Sequence, residues 1–119
     1  MNYARYRKAI EPMYIDRVDV YRYEDVRDPD TGVTKKVPVL KYENEHCRIS
    51  QRSLAIPRQT EAQDDIFYET KLFTFPELDI LQGDLFKVTR NNVERKYVAG
   101  EPFLYPTHQE ISIQRREWA

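Results

Sequence analysis

"LDILQGDLFKVTRNNVERKYVAGEPFLYPTHQEISIQ" (Leu78–Gln114) decides the fold. Its first half reads as two short runs, LFKVTR and VERKYV, joined by Asn91–Asn92. Asparagine tolerates the positive φ that a two-residue hairpin loop demands, so the pair predicts a tight turn between antiparallel strands. Gly83 before Asp84 supplies a permissive backbone at the start of the hairpin. Gly100 and Pro102 then interrupt the ladder. EISIQRR gives a last strand with Ile111 and Ile113 facing inward.

The same period of two recurs upstream. RVDVYRY (Arg17–Tyr23) sets Val18 and Val20 against Asp19, Tyr21 and Tyr23. RDPDTG (Arg27–Gly32) has the residues of a turn. VTKKVPVLKY (Val33–Tyr42) places Val33, Val37 and Val39 on one side, and Pro38 favours a sheet edge or a bulge. Together these form a hairpin with a charged, exposed tip. EHCRIS (Glu45–Ser50) reads as a separate short strand with Cys47 and Ile49 facing the same way. IFYETKLFTF (Ile66–Phe75) alternates strongly enough for both faces to pack. The count is seven strand-like segments, little helix and no repeat, which predicts an all-β domain, a small antiparallel barrel or sandwich. NYARYRKAI (residues 2–10) predicts a short N-terminal helix capped by Asn2 and ended by Pro12, with Tyr3, Tyr6 and Ile10 near one face. It either docks on the domain or reaches for a neighbour.

The chain has 119 residues, one domain's worth, within which residues 1–14 form a helical extension. Nine Tyr and five Phe supply a core, while 33% charged residues imply a large wetted surface. A net charge of -1 argues against a general nucleic-acid grip. Cys47, the single cysteine, has no partner for an internal disulfide and points to a reducing compartment. The N-terminus lacks the apolar core of a secretory signal, and no stretch approaches the ~20 apolar residues of a membrane helix. The expectation is a soluble intracellular protein without a membrane partner.

No catalytic constellation emerges. His46 and Cys47 are adjacent and so point to opposite faces of a strand, which suits neither a metal pair nor a Cys–His nucleophile. His108 precedes a strand, where a structural hydrogen bond is its expected role. The carboxylate pairs Asp64–Asp65 and Asp28/Asp30 lie in turns and loops. None of the three glycines belongs to a phosphate-cradling loop. The chain is expected to be no enzyme and to need no cofactor or metal.

The least regular stretch is QRSLAIPRQTEAQDD (Gln51–Asp65), read as a long loop between early and middle strands. Two Arg against one Glu and two Asp give it a charge of -1. Loops of this length inside compact domains are usually functional or mobile.

Three features in order, the hairpin leading to CRIS, the long insertion after it, and the ending LQGDLFKV…RKYVAGEPFLYPTHQEISIQ, resemble the head-closure, or head–tail joining, proteins of long-tailed bacteriophages. The likeness is strongest to the version carried by PBSX-type defective prophage elements and spans roughly Ile15 to Arg116. It implies a structural subunit, a small β-barrel that assembles with itself into a ring of about twelve copies. The implied ring sits between a portal–adaptor connector above and a tail-terminator or tail-completion protein below. It would close the DNA exit after packaging and offer a platform for the tail, first in the host cytoplasm and then in the particle's neck. Packaged double-stranded DNA would pass through without sequence-specific binding. By order along the chain, Ser53, Leu54, Ala55, Ile56, Pro57, Arg58, Gln59, Thr60 and Glu61 occupy the place of a channel plug. A segment without its own hydrophobic period does not offset its ordering entropy alone, but copies meeting on a ring axis order each other. The bland alternative is a surface loop without a channel role. Tyr3, Tyr6, Arg115, Arg116 and Trp118 are candidate assembly contacts, with covering the barrel's open end the equal alternative for Trp118. The rival readings are a tail-completion or neck protein on the same barrel, then a nucleic-acid-binding barrel of the OB kind, and last a small enzyme.

Overall fold

The computed structural model describes residues 2–53 and 68–118. A helix, α1 (Tyr3–Ile10), and a single 3₁₀ turn (Glu11–Met13) lead into six strands: β1 (Asp16–Arg27), β2 (Thr34–Ser53), β3 (Tyr68–Thr74), β4 (Leu85–Arg90), β5 (Val93–Leu104) and β6 (Gln109–Arg115). Every pairing is antiparallel, and the sheet closes as a barrel in the order β1-β2-β3-β6-β5-β4. Alternation along each strand fills the interior. Val18 and Val20, Cys47 and Ile49, Leu72, Phe86 and Val88, Tyr97 and Ala99, and Ile111 and Ile113 form one buried cluster. The all-β barrel with a short N-terminal helix expected from the sequence is the fold observed.

One expectation on strand number is corrected. The segments read as separate strands at Val33–Tyr42 and Glu45–Ser50 are one strand, β2. What separates them in sequence is a pair of bulges. Val18 lies opposite Glu45 and Val20 opposite Tyr42, so three steps of β2 span two of β1; a further shift follows between Val20 and Tyr21. Asn44 takes the extra residue's positive φ of 54°, and its amide is held by the Asp19 carboxylate at 2.7 Å. Bulges bend a strand without ending it. The bend lets the first part of β2 leave the barrel with β1 while the second part closes the wall. As a result Val33 is exposed, and Val37 and Val39 are only half-buried; they serve an arm and not the core. Gln51–Ser53, read as the start of the irregular loop, are also part of β2.

The Asn91–Asn92 turn has φ of 51° and 64°, as the sequence predicts. The predicted break at Gly100 is a bulge between Ala99 and Pro102, where β6 presses close. A Cβ on Gly100 would stand 2.9 Å from the Ser112 carbonyl oxygen. Helix α1 is capped by Asn2, whose side chain accepts from the Arg5 amide at 3.3 Å. None of its residues is buried. An ion pair from Arg7 to Glu77 ties it to the barrel, and a second joins Arg7 to Glu11.

Asp84 is the best-connected buried polar group. It is 1% exposed and accepts from Arg22 Nε at 2.8 Å and Nη2 at 2.9 Å, and from the Leu81 amide at 2.9 Å. Its own carbonyl accepts from the Ala99 amide at 2.8 Å. The hydrogen bond to Asp84 is the main reason the Arg22 guanidinium is held above its ordinary value.

Three outcomes follow from this packing. Asp84→Ala removes the acceptor of the half-buried Arg22 guanidinium and lowers stability by about 1–3 kcal/mol in chemical denaturation, part of which Arg22→Met in the same chain restores. Gly100→Ala costs about 1–3 kcal/mol because the obstructing atom is backbone. The hydrogen bond from Arg7 holds the Glu77 carboxyl below the usual value of 4.5. This exposed pair therefore contributes its about 0.2–1 kcal/mol above pH 4.5 and loses it as pH falls through the lowered value. Amide exchange in α1 should rise in that acid range, and Glu77→Gln should remove the dependence.

Candidate functional site

The barrel is extended at both ends by two-stranded ribbons. β4 pairs with β1 only from Arg17 to Tyr21, and β3 pairs with β2 only from Cys47 onward. Beyond those limits β1 and β2 continue as an arm with no third strand among the described residues, pairing Arg22 with Val39 through Arg27 with Thr34. The arm's turn is tied by Asp28, which accepts from the Asp30 amide at 2.9 Å, so these two acids serve a turn. At the opposite end the β3–β6 ladder stops at Thr70 and Ile113, while β2 and β3 go on to pair Arg52 with Glu69 and Ser53 with Tyr68. Arg52 and Glu69 clasp this stem at 2.7 Å. The stem carries the connection 54–67. Ser53 is thus the last residue of a strand, whereas Leu54, Ala55, Ile56, Pro57, Arg58, Gln59, Thr60 and Glu61 lie outside the described residues.

The two ends differ in chemistry. At the stem end, inward positions continue past the last core layer and become polar. Gln51, Arg90, Arg95 and Val93 surround a cavity of about 370 Å³ above Ile49, Val88 and Tyr97, with the outward-register Arg48 and Ser50 at its edge. Arg90 donates to the Ile49 carbonyl at 2.9 Å and stands 3.7 Å from the buried Asp16. Asp16 in turn accepts from the Ile49 amide at 2.9 Å. At the arm end, the crossing from Pro76 to Gln82 and the strand end Glu101–Leu104 form a groove of about 550 Å³. Gln109, fully buried, makes its floor by donating to the Phe75 carbonyl at 2.7 Å and the Leu78 carbonyl at 2.8 Å.

The remaining candidates are dispersed. Tyr3 and Tyr6 are exposed on α1. Arg115 lies opposite Tyr97 in the ladder and is exposed, as is Arg116, whose amide donates to the Lys96 carbonyl. Trp118 packs on the outer wall, 5.1 Å from the Tyr21 ring, with Lys96 Nζ 4.9 Å above the indole and donating to the Trp118 carbonyl at 3.0 Å. That position is on the barrel's side and not over its open end. Cys47 faces the core and His46 the surface beside Arg17. Burial, with Asp16 second, pushes the Cys47 thiol up, far from thiolate chemistry at neutral pH. His108 stacks on Tyr105 at 4.7 Å. Among the described residues no group of three or more His, Cys, Asp or Glu is placed to hold a metal, and no helix is long and apolar enough to cross a membrane.

Sequence reasoning missed the arginine mouth and the groove. A legible signal for the first was VERKY: with Tyr97 inward, Arg95 and Val93 are also inward, and an arginine at an inward position marks a strand running past its core. The groove had no such signal, since PELDI and EPFLYP are irregular.

Comparison with protein families finds no family model that matches the chain, and comparison with curated proteins finds no relative. Among solved structures, the fold is similar to that of the phage-like element PBSX protein XkdH from Bacillus subtilis. That likeness has 18% sequence identity and a TM-score of 0.50, and covers 83% of this chain and 91% of the other.

Proposed function

We propose that this chain is a structural subunit of a phage or phage-like head–tail connector. Copies form a ring that closes the DNA exit after packaging and presents a platform to the tail. The observation that carries the reading is the similarity of fold to the PBSX protein XkdH over most of both chains, supported by a barrel whose extensions are the parts without a core of their own. An isolated two-stranded ribbon is marginal in water, so a ribbon leaving each end of the barrel suits contact with other copies and with neighbouring rings. The two-stranded stem runs past the β3–β6 ladder to Ser53 and Tyr68, the residues that flank 54–67, and a channel plug in this reading would be anchored there. In this reading the protein is no enzyme and acts in the neck of the particle.

A second reading draws on the arginine mouth. Arg90 and Arg95 inside one polar cavity, with Arg48 at its edge, suit phosphates, as in an OB-like barrel, and such binding falls steeply with salt.

The deciding measurement is electron microscopy of the protein with its cognate portal–adaptor complex, beside a variant lacking residues 53–63. The expected result is an added ring beneath the adaptor with axial density that the variant loses. A ring with unchanged axial density retains the connector role and removes the plug. Binding to the tail end alone transfers the chain to tail completion. Salt-sensitive binding of duplex or single-stranded DNA by the free subunit, without a ring, favours the second reading.

A further inference from the structure

Helix α1 buries none of its eight residues, and eight residues are too few to hold a helix in water on propensity alone. One of its sides is engaged. Arg7 and Ile10 are half-buried, and Arg7 pairs with Glu77 of the barrel and with Glu11. The opposite side is exposed. Asn2, Arg5, Tyr6 and Ala9 have the i, i+3, i+4, i+7 spacing of one helical face. They line a shallow hollow to which, among the described residues, no other element contributes. At about 100° per residue this face points away from Arg7. Tyr6 is 54% exposed on it, and Lys8 stands at its flank, three residues after Arg5. The helix has no acid, and Arg5 and Lys8 form no salt bridge among the described residues.

The groove between the crossing and the end of β5 has the opposite character. Leu81 at 47% and Leu104 at 64% exposure border it. Asp79 and Glu101 stand on its rim, and among the described residues no Lys, Arg or His lines it. Neither of these carboxylates forms a salt bridge among the described residues. Arg22, behind the rim, donates to the Asp79 carbonyl and pairs with Asp84. The floor adds a third acceptor. Gln109 is fully buried, and the Phe75 and Leu78 carbonyls that its Nε2 serves fix the orientation of the amide. Its Oε1 is left without a donor. Two carboxylates and an orphan amide oxygen around an apolar hollow suit a cation that carries N–H donors on an apolar element. Glu77, itself a groove residue, already holds such a group in the two-pronged guanidinium of Arg7.

The chain's own α1 does not fill its own groove, since no residue of the helix lines it. Helix face and groove are different surfaces of one chain. A contact between them is heterologous, repeats from copy to copy, and closes into a ring when the rotation allows.

We infer that the exposed face of α1 in one copy, through Arg5, Tyr6 and Lys8, docks in the groove at Asp79, Glu101, Leu81 and Leu104 of the next copy. The contact rests on the ring reading above and names the surfaces that join its subunits. The helix gains the packing surface it lacks at home, and the groove gains its cations.

Disulfide trapping tests it on the full chain, both free at high concentration and in rings assembled on the portal–adaptor complex. Cys47 is buried, so introduced thiols react selectively. A9C/L104C should give a ladder of dimers, trimers and larger covalent species under mild oxidation. Each single variant should stop at dimers. T31C/L104C, with its first thiol on the exposed turn of the arm, should yield at least tenfold less ladder. R5E/K8E should remove the A9C/L104C ladder, D79K/E101K should do the same, and all four reversals in one chain should restore it. Circular dichroism shows whether each variant keeps the wild-type fold. A ladder equally strong with T31C, or indifferent to charge reversal, overturns the contact. A9C/L104C that stops at dimers also overturns it, because a reciprocal pair does not propagate. Wild-type rings that assemble while A9C/L104C stays uncross-linked overturn it too and leave the ring reading standing. Absence of rings from wild-type protein removes the ring reading itself and this contact with it.

Discussion

The Arg22–Asp84 pair is the constraint on which the rest of the structure depends. Asp84 sits where the crossing from β3 enters β4, and its oxygens organise three separate pieces of chain: the arm's base through Arg22, the crossing through the Leu81 amide, and β5 through the Ala99 amide. A buried carboxylate is costly unless each lone pair finds a donor. Here the donors are Arg22 on β1 and the Leu81 amide three residues upstream of Asp84, so the carboxylate is satisfied only when β1 has come beside β4. That pairing fixes both the base of the arm and the crossing that borders the groove.

How much of this is legible without coordinates varies with the kind of signal. The β4–β5 hairpin is written locally, in two asparagines able to take positive φ, and it is found where the sequence puts it. The inward set Val18, Val20, Cys47, Ile49, Ile111 and Ile113 follows from alternation alone. Alternation fails at β2, because a bulge adds a residue and flips the parity, and a flipped parity looks like a strand end. Whether Asn44 closes a strand or bends it is decided by Asp19, on another strand. Trp118 illustrates a further limit: nothing near it in sequence announces that Tyr21 and Lys96 form its bed.

The two ends of the barrel also differ for a reason that composition hides. A net charge of -1 conceals an arginine-lined mouth at one end of the barrel and an acidic, apolar rim at the other. Near-neutral totals speak against a uniform field but are silent about a polar axis. In a ring built from such subunits, one face and the other would present unlike surfaces to the components they meet.

β2 has a mechanical consequence. Its twenty residues, at about 3.3 Å each, give a contour on the order of 60 Å, running without a break from the arm's turn to the stem of the 54–67 connection. A load applied along the arm is therefore borne parallel to the strand, where the ladder's hydrogen bonds share it in shear instead of opening one after another. The bulges at Asn44 and Lys41 are the compliant joint in an otherwise stiff rod, so strain at one end reaches the other as a change of angle there more than as a lengthening of the strand.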